Sequence, residues 1–241
     1  MVRSTPRQSA YGFRTAASIF RIQPYYFWLT SERYWAQQSP SSKQVDGVYC
    51  GRVGTRKFTR SELESFNGAT VDDLVADNLK LLFVGINPGL WTAAVNTHFA
   101  RPGNRFWPAM HRAGITPDLV DAGDGLTHEQ RLLLLETGVG ITNLVPVATA
   151  RADELSRQQI VDGGEKLRQL VRRNQPRVVA MLGITSFRQA FSAPKTVLGK
   201  QPELFEGAEL WVLSNPSGLN AHETVSSLGE WFRQVAQAAG L

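Results

Sequence analysis

LLFVGINPGL (residues 81–90) decides the fold. Four apolar residues, Leu81 to Val84, run straight into Gly85, and an amide, a proline and a second glycine follow within five positions. A continuous apolar run of this length, bounded by turn residues, is the pattern of a strand buried on both faces. Gly85 permits close backbone approach, Pro88 fixes its own φ, and Asn87, as the residue before a proline, is biased toward an extended backbone. The stretch reads as a core strand that ends by presenting an amide on a rigid turn.

Outward from this point the same signal recurs. ITNLV (141–145), RVVAMLG (177–183) and ELWVLSNPSG (209–218) are further apolar strands, and KLLFVGI (80–86) gives the first its bounds. Between them lie helical patterns. Ser61 and Glu64 have capping-box spacing, and TVDDLVA (70–76) suggests a helical turn. NRFWPAMHRAG (104–114) predicts a helix with Pro108 near its first turn and Gly114 at its end. THEQRLLLLETG (127–138) has a Thr cap and a Gly stop. A long helix runs over 156–174, closed by Pro176. ITSFRQAF (184–191) follows the RVVAMLG strand, and ETVSSLGEWFRQVAQAAG (223–240) is the closing helix. Alternating helices and wholly apolar strands predict a three-layer α/β/α sandwich with a central, mostly parallel sheet. Sites in such sheets lie in the crevice beyond the strands' C-terminal ends. Both unusual turns, GINPG (85–89) and SNPSG (214–218), fall there.

The chain of 241 residues suits one good-sized domain plus an appendage, and its 42% hydrophobic content is that of a globular protein. No apolar run approaches the ~20 residues that cross a bilayer, and Arg14 and Arg21 interrupt the only apolar stretch near the N-terminus. A single cysteine, Cys50, excludes an internal disulfide and a four-cysteine metal or iron–sulfur site within one chain. A cytoplasmic protein is expected. The net charge is +5, but its distribution is uneven. Residues 1–60 carry ten Lys and Arg against two acids; residues 61–241 carry sixteen bases against nineteen acids. Residues 1–60 are therefore read as a basic extension, poorly ordered, with QQSPSSKQ (37–44) as a linker; a basic arm that tracks phosphates is the alternative. Residues 61–241 are the functional domain. A nucleic-acid partner must be held there by locally placed charge.

The turns suggest chemistry, each beside a plainer reading. The Asn87 amide can accept from a water and donate to a ligand but is no base; it can equally bond its own backbone in the turn. In SNPSGLN (214–220), Leu219 sits at a loop tip between Gly218 and Asn220. It either tucks against the core or enters a base stack as a wedge. In HFARPGNRFW (98–107), Phe99 can stack on a planar ligand or pack inward, and Arg101 and Arg105 can meet phosphates or stand in solvent. Ser217 and His222 invite a hydrolase reading, but no Gly-x-Ser-x-Gly elbow surrounds Ser217 and Pro216 points to a turn. GINPG lacks the Gly-x-Gly-x-x-Gly spacing, which ranks a dinucleotide-binding enzyme last.

These pieces, in this order, resemble the mismatch-specific uracil/thymine DNA glycosylases, a branch of the uracil-DNA glycosylase superfamily. GINPG and NPSGL carry most of the resemblance; FARPGNRFW, GITNLV (140–145) and GGEKL (163–167) add to it. It runs from about residue 80 to the C-terminus. It implies a uracil-DNA glycosylase-like fold and a monofunctional, monomeric enzyme acting on double-stranded DNA with mismatched or damaged bases, without metal or organic cofactor. The target nucleotide would be extruded into the crevice. Asn87 would hold the attacking water, and Phe99 would stack on the flipped base. Backbone groups at Ile86 and Phe99, beside Gly85, would bond the pyrimidine's polar edge, and Asn143 would either reach the pocket rim or serve as a buried structural amide. Gly218 and Leu219 would fill the gap in the stack, with Asn215, Pro216 and Ser217 shaping that loop and approaching phosphates. Uracil, mismatched thymine, hypoxanthine and etheno-adducts are all candidate bases. Within 78–117 no carboxylate occurs, so a carboxylate-activated water is not expected near the first motif. There are departures: Ala221 stands where relatives often have Arg, and Trp91 and His98 stand in a segment that is small and polar in some relatives, where they would narrow or reshape the pocket. A non-catalytic mismatch- or damage-binding module of the same fold is the alternative.

Overall fold

A computed structural model describes residues 57–241. Of the N-terminal extension expected over residues 1–60, residues 1–56 lie outside the described residues. Five strands, β1 (Leu81–Gly85), β2 (Val139–Asn143), β3 (Val178–Leu182), β4 (Gly199–Lys200) and β5 (Glu209–Leu213), form one sheet in the order β2-β1-β3-β5-β4. All neighbours are parallel except β4, which pairs antiparallel with β5. The expected three-layer architecture with a mostly parallel sheet is present.

Strand periodicity explains the layers. Leu81 and Phe83 face one side with Val139, Ile141, Val178, Ala180, Trp211 and Leu213. That side is covered by α3 (Phe106–Arg112), α4 (His128–Thr137) and α7 (Val225–Ala239). Leu82 and Val84 face the other with Val179, Met181 and Val212, under α5 (Arg157–Asn174) and α6 (Ile184–Ala190). Burial on both faces is why these strands carry no polar alternation. Leu228, Phe232, Val235 and Ala239, on one stripe of α7, are all wholly buried.

The chain leaves β1 to form β2 on one side, then crosses to β3 on the other. β1 is therefore the topological switch point, where open α/β sheets bind ligands. The GINPG turn leaves the C-terminal end of this strand.

Several predicted details differ. The capping box of α1 (Arg60–Glu64) is built by Thr59 and Glu62 rather than Ser61 and Glu64. The TVDDLVA stretch is extended: Thr70 and Leu74 form antiparallel bridges with Val147 and Ile141. β2 starts at Val139, and α2 (Leu90–Ala94), β4 and a single 3₁₀ turn (Ala152–Glu154) were not anticipated. The Thr127 cap and the Gly138 stop stand as expected, and Ser156 caps α5.

Candidate active site

A cavity of about 420 Å³ opens at the C-terminal edge of the sheet. Ile86, Asn87, Phe99, Asn143, Asn215, Ser217 and Leu219 all line it, together with Thr92, Arg101, Asn104, Thr149, Arg151, Asp153 and Leu182. Its volume falls in the ~300–1,000 Å³ range of small-molecule sites. The two motif turns, 130 residues apart in the sequence by the positions of Asn87 and Ser217, thus share one hollow.

Asn87 is held by acceptors. Its Nδ2 donates to Thr149 Oγ1 at 2.7 Å and lies 3.1 Å from the carbonyl oxygens of both Val147 and Pro88. Carbonyls only accept, so the amide nitrogen must face them, which settles the amide's orientation. Its hydrogens are committed to the protein, and Oδ1 is left as an acceptor without a partner among the described residues. Thr149 in turn donates to Arg151 O at 2.7 Å, so the loop after β2 buttresses the amide. The plainer reading, in which Asn87 bonds only its own turn, accounts for one of the three contacts.

Gly85 makes room for the neighbouring side chains. A Cβ there would lie 2.4 Å from Asn143 Oδ1 and 3.0 Å from Phe99 Cζ. The amide of Asn143 and the ring of Phe99 therefore close over the bare end of β1. Phe99 has φ +56, a left-handed conformation that costs a phenylalanine roughly 1–3 kcal/mol. Its ring is backed by Phe106, stacked at 4.1 Å with an interplanar angle of 18°. The Ile86 carbonyl accepts from Val145 N at 2.9 Å, tying the turn to the chain beyond β2.

His98 does not line the cavity. It is 4% exposed, and both ring nitrogens are engaged. Nε2 lies 3.0 Å from Asp72 O, an obligate acceptor, so Nε2 carries the proton and Nδ1 is bare. Asn143 Nδ2, 3.0 Å from Nδ1, is then the donor. The tautomer of His98 so orients the Asn143 amide. Burial is the main reason its pKa falls to about 4; the Asp72 carbonyl opposes the shift and Arg131 reinforces it. Trp91 lies outside the main cavity as well. It lines a second hollow of about 340 Å³ that shares Phe99, Arg101 and Asn104 with the first, and its indole N–H donates to Gly123 O at 2.9 Å. Neither departure narrows the main cavity.

The second turn is stiffened locally. Ser217 N donates to Asn215 Oδ1 at 2.9 Å, Ser217 Oγ accepts from Leu219 N at 3.3 Å, and Asn220 Nδ2 donates to Asn215 O at 3.0 Å. The Ser217 hydroxyl serves the turn, and His222 is anchored through its own N–H on Asn220 Oδ1, not through its ring. Pro216 is buried, whereas Gly218 and Ala221 are exposed. Leu219 is 79% exposed, so it is not tucked into the core.

Sequence reasoning missed Thr149, Arg151 and Asp153, which come from a loop without a motif. Asp153 is a carboxylate at the cavity, but it is exposed and ion-paired with Arg151. Arg101 is exposed on the rim and has no ion-pair partner among the described residues. No cluster of three metal-ligating side chains occurs among the described residues, and no helix there is long and apolar enough to cross a membrane.

A family model, "Uracil DNA glycosylase superfamily", matches residues 73–239, more than half of the chain. Among solved structures, a proposed uracil DNA glycosylase of Methanosarcina acetivorans, determined by solution NMR, is similar with a TM-score of 0.47 and 16% identity, over 69% of this chain and 96% of that one.

Proposed function

We propose, for a chain that belongs to the uracil DNA glycosylase superfamily, hydrolytic excision of uracil from double-stranded DNA in the manner of the mismatch-specific uracil/thymine branch. The reading is carried by one observation: the committed Asn87 amide, the backed ring of Phe99 and the oriented amide of Asn143 line one cavity below an exposed Leu219.

The flipped base enters the cavity and stacks on Phe99. Asn143 Oδ1, beside the bare Gly85, accepts from the ring N–H of uracil, while the Nδ2 hydrogen not given to His98 donates to a flanking carbonyl. Cytosine presents an acceptor nitrogen and an amino group there, and it mismatches this pattern. The C1′–N1 bond breaks with its electron pair leaving on the base, through an oxocarbenium-like transition state. Fixed donors at the base edge stabilise that developing anion. Asn87 Oδ1 accepts from a water and aims it at C1′; the water's proton is lost to solvent after attack. An amide orients without deprotonating, so positioning replaces base catalysis and turnover is slow. Leu219 fills the vacated stack, and Gly218 with the Asn215–Ser217 turn meets the partner strand and the phosphates. The protein acts as a monomer in the cytoplasm, with no metal or organic cofactor.

The test is base release from a panel of duplexes, each carrying one candidate base: uracil, thymine opposite guanine, hypoxanthine or an etheno-adduct. Asn87→Ala serves as control. Release by the wild type, lowered about 100-fold in the variant, supports the reading. Equal and negligible release by both, with retained duplex binding, would instead establish a damage-binding module.

A further inference from the structure

The Asn104–Arg105 corner does more than start a helix. Arg105 N donates to Pro216 O at 2.9 Å. Its guanidinium reaches the same loop: Nη1 donates to Ser217 O at 2.8 Å and Asn220 O at 3.0 Å, and Nη2 lies 3.4 Å from Gly218 O. Three backbone carbonyls of one short loop therefore converge on a single planar cation. Converging carbonyl dipoles repel one another unless a multiple donor stands between them, and a guanidinium fork supplies donors at fixed angles. The loop also seats directly on the turn that precedes Arg105, because a Cβ on Gly218 would lie 2.6 Å from Gly103 O.

We infer that Arg105 is the positioning residue of the wedge: it straps the Pro216–Asn220 loop so that Leu219 stands out of the protein, ready to enter a base stack. This rests on the function proposed above. The strap also sets which way the peptide groups face. In a trans peptide the C=O and the following N–H point in opposite directions. Drawing the Ser217 and Asn220 carbonyls inward turns the N–H groups of Gly218 and Ala221 outward, toward the side where a partner strand would lie. Arg105 belongs to the same corner as Phe99, whose ring is backed by Phe106. The surface that would hold the flipped base and the side chain that would fill its place are thus one mechanical unit.

A plain phosphate contact would also use an arginine here, so the test separates charge from strapping. Arg105→Lys keeps the charge but lacks the fork; Arg105→Ala loses both. Two measurements apply, each on the full chain with thermal melting as a folding control. Amide hydrogen exchange in the free protein reads the strap without any catalysis. About tenfold faster exchange at the bonded amides of Ser217, Leu219 and Asn220 in both variants is expected. Uracil release reads the wedge. Both variants are expected to lose about tenfold in kcat/KM on duplex while staying within about twofold of wild type on single strand. Leu219→Ala added to Arg105→Ala should cost almost nothing further, since both act through one element. Full duplex activity in Arg105→Lys, or additive losses in the double variant, would overturn the proposal, as would unchanged exchange in Arg105→Ala. A wild type that releases no base would defeat the glycosylase reading, and the exchange measurement would still decide whether the strap exists.

Discussion

Acid should destabilise this protein through His98 before it titrates the carboxylates. An ordinary histidine in the unfolded chain binds a proton near pH 6.5; His98 in the folded chain does so only at about 4. Burial is the principal cause, since the ring is 4% exposed. The contacts agree with the direction. A proton on Nδ1 would set two donors against each other, because Asn143 Nδ2 already donates to that nitrogen at 3.0 Å. As pH falls below 6.5 the unfolded chain takes up a proton that the folded chain refuses, so stability falls. The contribution is fully present above pH 6.5 and is lost as pH drops toward 4. At about 1.4 kcal/mol per pH unit, the loss amounts to about 3 kcal/mol. That is a large share of the ~5–15 kcal/mol typical of a folded domain.

The assay is urea unfolding of wild type and His98→Gln from pH 7.5 to 4.5. A glutamine amide offers N–H donors and a carbonyl acceptor but does not titrate. The stability of wild type relative to the variant should fall by about 2–3 kcal/mol across that range, nearly all of it below pH 6.5. Other groups titrate in both proteins, so the difference isolates His98. Parallel pH curves would refute the reasoning, as would an NMR titration that places the His98 midpoint near 6.5.

Four further outcomes follow from contacts around the cavity. Gly85→Ala drives a methyl into Asn143 Oδ1 and the Phe99 ring; uracil release should fall at least tenfold, with about 1–3 kcal/mol lost in thermal unfolding. Thr149→Val removes the hydroxyl that accepts from Asn87 at 2.7 Å; single-turnover release should slow about tenfold at a stability cost near 1 kcal/mol. Arg101→Gln should lower the slope of log Kd against log salt by about one on duplex DNA, measured by fluorescence anisotropy. Leu219→Ala should impair release from duplex far more than from single strand, with an unchanged melting temperature, because the side chain is 79% exposed.

What the sequence disclosed and what it hid divide along physical lines. The parallel sheet was legible because strands buried on both faces, such as Leu81–Gly85 and Val178–Leu182, are apolar at every position. The two turns were legible because Asn-Pro and Gly punctuation is a local signal. The capping box of α1 was misplaced because Thr59–Glu62 and Ser61–Glu64 both satisfy its spacing. TVDDLVA has helical spacing, but pairing of Thr70 and Leu74 with distant partners prevailed over that local preference. β4 has only two residues, too few for a period. The support of the site was hidden for a different reason. Thr149 is 62 residues from Asn87, and Arg105 reaches carbonyls more than 100 residues away. Backbone oxygens are the same in every sequence, so nothing in the residue types marks them as partners.

Those anonymous oxygens give the site its order. Val147 O and Pro88 O fix which end of the Asn87 amide faces the cavity. Asp72 O fixes the tautomer of His98, and His98 then fixes the amide of Asn143. The carbonyls of Ser217 and Asn220 hold Arg105, and Arg105 holds them. An amide or a guanidinium has no alternative protonation state at neutral pH, and a carbonyl can only accept. The orientations of Asn87 and Arg105 are therefore consequences of chain geometry, and that of Asn143 follows the neutral tautomer that Asp72 O imposes on His98. A site of this kind is well suited to aiming a water and gripping a neutral base edge, and poorly suited to taking a proton from either. Among the described residues the one carboxylate at the cavity, Asp153, is turned to Arg151. In the function proposed above, the economy that makes the site rigid would also make it slow, since placement alone would lower the barrier.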